Sequence, residues 1–230
     1  MGIRSGNPTK IIFFHIMREN FSGAQKNIYR LLINLNKDAV SPTLVGQNRS
    51  PLTELASKEG IDTRILPFPE GLEVFDRNIL RFNILTISRF LKGIWQYNKT
   101  FIKECKRLKP EVIWCDNIRT FVTIYAASRL LRTRIIWNIW SEPEGKIAWI
   151  LHRIGLVLAD RINTEYSSQG KKIFGILTSL SVFKKKIVPL YTGVSEFESI
   201  IGTDIRKELS LASDSTLITM ASNIVSEKGQ

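Results

Sequence analysis

The sequence predicts an α/β fold of the doubly wound type, a parallel sheet with helices on both faces. Three observations carry that expectation. Seven short apolar runs recur along the chain, segments of helical period alternate with them, and the runs are nearly continuous in apolar side chains, as strands covered on both faces require. With 230 residues, 43% of them hydrophobic, the chain holds enough apolar material for a sizeable core.

The strand-like runs are 10–16, 43–46, 63–66, 112–115, 134–140, 161–164 and 186–190. Between the first two, residues 24–37 place Ile28, Leu31, Leu32 and Leu35 on one helical face, and Ser22 with Gln25 three residues on reads as a capping box. A second helix, 51–59, has Ser50 as its cap, Pro51 at its first position and Gly60 just past its end. Residues 76–108 form a long amphipathic segment stopped by Pro110, with Gly93 expected to mark a break inside it. Helices at 121–131, 146–158 and 167–177 complete the alternation, and Ser141 with Glu144 has the spacing of a capping box. A sheet of this kind carries its ligand crevice at the carboxyl ends of the strands.

Residues 1–192 are expected to form this domain. From 193 to 203 the composition turns polar, through Ser195, Glu196, Glu198 and Ser199, as a linker would. Residues 204–230 then read as the incomplete start of a second α/β unit, a helix at 204–209 and one strand at 216–221, because a single strand makes no sheet.

Lys and Arg number 33 against 21 Asp and Glu, a formal charge of +12 that favours phosphates, whether in nucleotides, nucleic acid or lipid headgroups. No nucleic-acid motif accompanies the charge, so nucleic acid is not an expected partner. Cys105 and Cys115 give neither a disulfide framework nor metal-ligand spacing, which makes a reducing, cytoplasmic setting the default. The longest apolar tract, 147–159, is broken by His152 and Arg153, so no membrane span is expected. The basic and apolar segments 77–109 and 146–153 could instead hold the protein peripherally on the cytoplasmic membrane face, or simply be core.

The loop after the first strand runs through Ser22-Gly23-Ala24-Gln25 straight into a helix, where free N–H groups and the helix dipole suit an anion; a tight turn with an ordinary cap fits the same spacing. Neither G-x-G-x-x-G nor G-x-x-x-x-G-K-[ST] occurs. His15 falls at the carboxyl edge of the sheet, as a possible lining residue or a plain strand-end residue, while His152 falls within a helix. Glu142 and Glu144 follow the fifth strand, as paired acid and base or as acids of a first helical turn.

In this order, Ser22-Gly23-Ala24-Gln25, Thr164-Glu165-Tyr166-Ser167, Val188-Pro189-Leu190-Tyr191-Thr192-Gly193-Val194-Ser195, and Ala221-Ser222-Asn223-Ile224 with Lys228-Gly229 resemble the landmarks of the family 4 glycosyltransferases of GT-B fold. The resemblance covers almost the whole chain. It implies a Rossmann-like N-terminal acceptor-side domain and the opening strand of a C-terminal donor domain. It implies hexosyl transfer from a nucleotide-sugar donor to a glycan, lipid-linked or small-molecule acceptor, with no metal or other cofactor. Ser22 and Gly23 match the family's Gly-Gly loop near the donor phosphates, with Ser22 in place of one glycine, and Lys228 matches the lysine on the donor diphosphate. Asn223 stands where the family has an arginine and Trp140 where it often has a histidine; both, with His15 and Glu142, are candidate cleft-lining residues. On this reading the chain is a fragment that transfers no sugar until a donor domain completes it. The alternative is a non-catalytic acceptor-binding module or subunit with a separate donor-domain partner.

Overall fold

The computed structural model describes residues 7–16, 21–69, 72, 84–143, 145–191, 205–212, 214 and 216. Seven strands, β1 (Thr9–Phe14), β2 (Val40–Gly46), β3 (Asp62–Ile65), β4 (Val112–Cys115), β5 (Arg134–Ile139), β6 (Arg161–Thr164) and β7 (Ile187–Pro189), alternate with helices α1 (Gly23–Ile33), α2 (Pro51–Lys58), α3 (Ile84–Leu108), α4 (Ile118–Leu130), α5 (Lys146–Leu158) and α6 (Ser167–Phe174). A 3₁₀ turn (Gly175–Ser179) and a short helix, α7 (Ser181–Lys184), lead into β7. The chain divides into two compact units, Met1–Thr192 and Gly193–Gln230. In the second, the helix expected at 204–209 is a single turn, α8 (Ile205–Glu208), closed by Ser210 at φ 51° with Leu211 N–H donating to the Arg206 carbonyl. The strand expected at 216–221 lies outside the described residues, apart from Thr216.

All six strand pairings are parallel, in the order β3-β2-β1-β4-β5-β6-β7. Register assigns the two faces. Phe13 aligns with Leu44 and Trp114, and these three pack with Ile28 and Leu32 of α1 and Leu52 and Ala56 of α2. Phe14, Cys115 and Trp137 form the row on the opposite face, under Tyr97 and Phe101 of α3, Phe121 and Ile124 of α4, Leu156 of α5 and Ile173 of α6. Each fully buried Leu, Ile or Phe in these rows contributes about 1.5–3 kcal/mol of transfer free energy.

Local chemistry fixes the element ends. Ser50 and Thr53 form a full capping box on α2, and Gly60, at φ 74°, ends the helix with Ile61 N–H donating to the Ala56 carbonyl. α3 ends at Leu108, followed by Lys109 at φ 52° and then Pro110. Buried Asn98 stitches α3 to α4, donating to the Thr123 carbonyl (2.7 Å) and accepting from Ala127 N–H (2.9 Å). Lys186, the last of the basic run before β7, donates to the Val157 and Ala159 carbonyls, both at 2.8 Å, and so satisfies the end of α5.

Several expectations are corrected. α3 runs unbroken through Gly93, because Tyr97 and Phe101 pin that helix to the sheet over successive turns. Ser22 makes no side-chain capping bond, so the box expected at α1 does not form, and α1 ends at Ile33 rather than 37. Ser141 does not cap α5, which starts from Gly145 at φ 80° with no side-chain cap. The helix expected at 167–177 tightens into the 3₁₀ turn at Gly175, whose φ is 57°. The expected helix start at 76 and Glu144 lie outside the described residues. His152 is a core residue: buried, with Nδ1 2.7 Å from the Ala148 carbonyl and its ring 5.0 Å from that of Trp137, burial holding its pKa below the usual value.

Gly155 of α5 is the contact point between that helix and β5. A Cβ there would sit 2.5 Å from the ring of fully buried Trp137. Gly155→Ala is therefore expected to lower stability by about 1–2 kcal/mol in urea unfolding, the overpacking cost exceeding the roughly 1 kcal/mol gain in helix propensity. A raised unfolding midpoint would contradict the close packing.

Candidate functional site

The winding of the sheet reverses between β1 and β4. From β1 the chain passes outward through α1 to β2 and α2 to β3; it then crosses the other face through α3 and continues from β4 away from β1. The loops leaving β1 and β4 thus diverge to opposite faces, and the carboxyl ends of these two strands are where a sheet of this kind carries its ligand crevice. His15 directly follows β1 and Asp116 directly follows β4, and the register Phe14 to Cys115 brings them side by side.

The two side chains are in direct contact through His15 Nδ1 and Asp116 Oδ2. Both are nearly closed to solvent, at 4% and 3% exposure. His15 N–H donates to the Val45 carbonyl (3.0 Å), which carries the ladder one residue beyond β1 and fixes the imidazole's origin. Asp116 Oδ1 accepts from Asn117 Nδ2 (2.9 Å) and Thr120 Oγ1 (3.1 Å). Asn117 and Thr120 are in turn a complete capping box at the start of α4. The carboxylate is therefore held from behind by a helix cap while its other oxygen faces the imidazole. With Nδ1 committed to Asp116, Nε2 is the nitrogen through which His15 can accept or deliver a proton.

Register extends this row. Cys115 aligns with Trp137 and Asn138 with Asn163, so His15, Asp116, Asn138 and Asn163 lie level across four adjacent strands. Asn138 is 3% exposed, yet its Nδ2 has no hydrogen-bond partner among the described residues, and the same is true of Trp140 Nε1 two residues on. Both are donors lacking an acceptor, so a ligand oxygen that reached them would recover hydrogen bonds now unmade. Trp140 packs against the α1/α2 core, at the edge where the sequence placed it.

Ser22 and Gly23 lie at the opening of α1, between β1 and that helix on the same edge. Helices α2 and α4 are closed by capping boxes, whereas α1, like α5 and α6, has no side-chain cap and no acidic residue in its first turn. A Cβ built on Gly23 meets nothing within 4 Å among the described residues. A helix start without a side-chain cap, at the positive end of the dipole, is suited to an anion.

Glu142 is not part of the His15 cluster. It pairs with Lys172 of α6 (2.5 Å) and accepts from Tyr166 Oη (3.4 Å), tying the loop after β5 to the loop after β6. Asn223 and Lys228 lie outside the described residues. Among the described residues no group of three His, Cys, Asp or Glu side chains is arranged to hold a metal ion. Asp116, Asn138 and the Asn117–Thr120 box were missed by sequence reasoning. The available signal was an acid and an amide ending apolar strands at the edge where ligands bind.

No family model and no curated protein matches the sequence. Solved structures do match. A glycosyltransferase from Rickettsia africae ESF-5 is 13% identical with a TM-score of 0.63, over 97% of this chain and 55% of that one. Anabaena HepE, solved in complex with UDP-glucose, is 10% identical with a TM-score of 0.59, over 87% and 50%. The lipopolysaccharide outer core galactosyltransferase WaaB is 15% identical with a TM-score of 0.55, over 83% and 47%. The chain thus spans about half the length of these structures. Its fold is the Rossmann-like α/β fold that GT-B glycosyltransferases share.

Asp116→Ala removes the buried partner of His15 and the acceptor of two hydrogen bonds. It is expected to cost about 2–4 kcal/mol in urea unfolding, against roughly 1 kcal/mol for Thr120→Val. A loss below about 0.5 kcal/mol for Asp116→Ala would mean that the pair is not formed.

Proposed function

We propose that the chain supplies the acceptor side of a glycosyltransferase that moves a sugar from a nucleoside diphosphate donor to an acceptor hydroxyl. The observation that carries this reading is the His15–Asp116 pair at the topological switch point of a fold shared with glycosyltransferases, one of them solved with UDP-glucose. In the transfer, His15 Nε2 takes the proton of the acceptor hydroxyl as that oxygen bonds to the anomeric carbon. The bond from that carbon to the diphosphate breaks, and the diphosphate leaves with the electron pair. Asp116 orients the imidazole and balances the positive charge it gains, a role that needs a buried and well-held carboxylate.

The diphosphate is assigned to the uncapped start of α1 at Ser22 and Gly23, where N–H groups offset its charge without a metal. Asn138 and Trp140 offer their donors to oxygens of the bound sugar or acceptor. Lys228 and Asn223 are assigned to the donor side on the resemblance alone. The finer placement in family 4 rests on the order of the landmarks from Ser22 to Lys228, and a cytoplasmic setting rests on the two thiols.

The test is sugar transfer from UDP-sugars by this chain joined to a donor-binding domain, on one polypeptide or two. His15→Ala is expected to lower kcat by about 10²–10⁴-fold with little change in donor KM, and Glu142→Gln to leave kcat within a fewfold of the parent. Gly23→Val should instead raise the donor KM. An undiminished kcat in His15→Ala would refute the assignment.

A further inference from the structure

Helix α3 has an outward face that the sheet does not use. At 100° per residue, Ile87, Leu91 and Trp95 fall within an arc of about 80°. An adjoining arc of about 100° carries Lys106, Lys99, Lys92, Lys103 and Arg89. Leu91 and Trp95 are each 58% exposed, large apolar side chains left in water. All five cations are exposed, and none forms an ion pair among the described residues; Lys99 lies instead over the Trp95 ring, 3.4 Å from its centre. The one acid of the helix, Glu104, lies apart from this face, taken by Arg107 and Arg64. In the same helical layer, α5 exposes Ile150, Ile154 and Val157 at helical spacing, with Arg153 among them.

We propose that this face of α3 docks on an anionic lipid bilayer, Leu91 and Trp95 entering the headgroup boundary while the row of Lys and Arg meets lipid phosphates and carboxylates. Charge complementarity selects the occupant: an apolar edge beside a row of exposed cations is the pattern of an interfacial helix, and Trp is the side chain favoured at that depth. The helix lies on the surface and does not cross, since among the described residues no helix is long and apolar enough to span a membrane. The docking is independent of the transfer chemistry, and its test needs no sugar donor.

The test is co-sedimentation of the full chain with vesicles of phosphatidylcholine alone or mixed with phosphatidylserine. Binding is expected to the anionic vesicles only, and to weaken as salt is added. Replacing Lys92, Lys99 and Lys103 by Gln should weaken it roughly a hundredfold, at about fivefold per charge, with the thermal midpoint unchanged. Brominated acyl chains should quench tryptophan fluorescence in the parent, and Trp95→Phe should remove most of that quenching. Equal recovery with neutral and anionic vesicles, parent-level binding by the triple variant, or a lipid-independent dimer that buries Trp95 would each overturn the proposal.

Discussion

The reversal of winding at β1 is the constraint on which the rest of the structure depends. Right-handed crossovers put α1 and α2 on one face of the sheet while the chain moves outward from β1, and α3 to α6 on the other once it returns to β4. Only at that reversal do two neighbouring strands send their following loops to opposite faces. His15 and Asp116, 101 positions apart in sequence, become neighbours because each is the first residue beyond one of those two strands. Ring and carboxylate are both sealed from water, so their interaction is screened little by solvent. The Asn117–Thr120 cap ties the carboxylate to the start of α4, which makes a local helix signal part of the site's support.

The fold was legible because its signals are local. Continuous apolar runs marked all seven strands, β4 and β6 to the residue, and Pro51 with Gly60 marked the ends of α2. What local reading missed has physical causes. Ser22 and Gln25 have capping-box spacing, yet the box needs both side chains turned to the helix start, and Gln25 is instead fully buried. Gly93 carries a helix-breaking propensity of about 1 kcal/mol, which burial of Tyr97 and Phe101 outweighs. The site was legible only in part. Sequence placed His15, Ser22, Gly23 and Trp140 at the carboxyl edge, but Asp116 acquires meaning only from the register of β1 against β4, a non-local fact. Glu142, read as a cleft candidate, is drawn off by Lys172, a partner no spacing rule connects to it.

The helix starts differ in how their first N–H groups are satisfied. α2 and α4 satisfy their first N–H groups internally, and α4 does so while holding Asp116. α1, like α5 and α6, has no side-chain cap, and its start lies on the edge where the His15–Asp116 pair lies. The proposed transfer from a diphosphate donor calls on both features, a proton acceptor and a helix start suited to an anion. The excess of cations that the sequence shows serves different ends: Lys186 closes α5, Arg107 holds Glu104, and the row on α3 is exposed with no ion pair among the described residues.

In the proposed transfer Asp116 fixes the His15 ring so that Nε2 is left to take a proton. Long-range ¹H–¹⁵N correlation spectra of the imidazoles, recorded on the full chain and on Asp116→Asn, test it most directly. The neutral His15 ring is expected to carry its proton on Nδ1 in the parent and to lose that preference in Asp116→Asn. A neutral ring protonated on Nε2 in the parent, or a tautomer unchanged by Asp116→Asn, would contradict it.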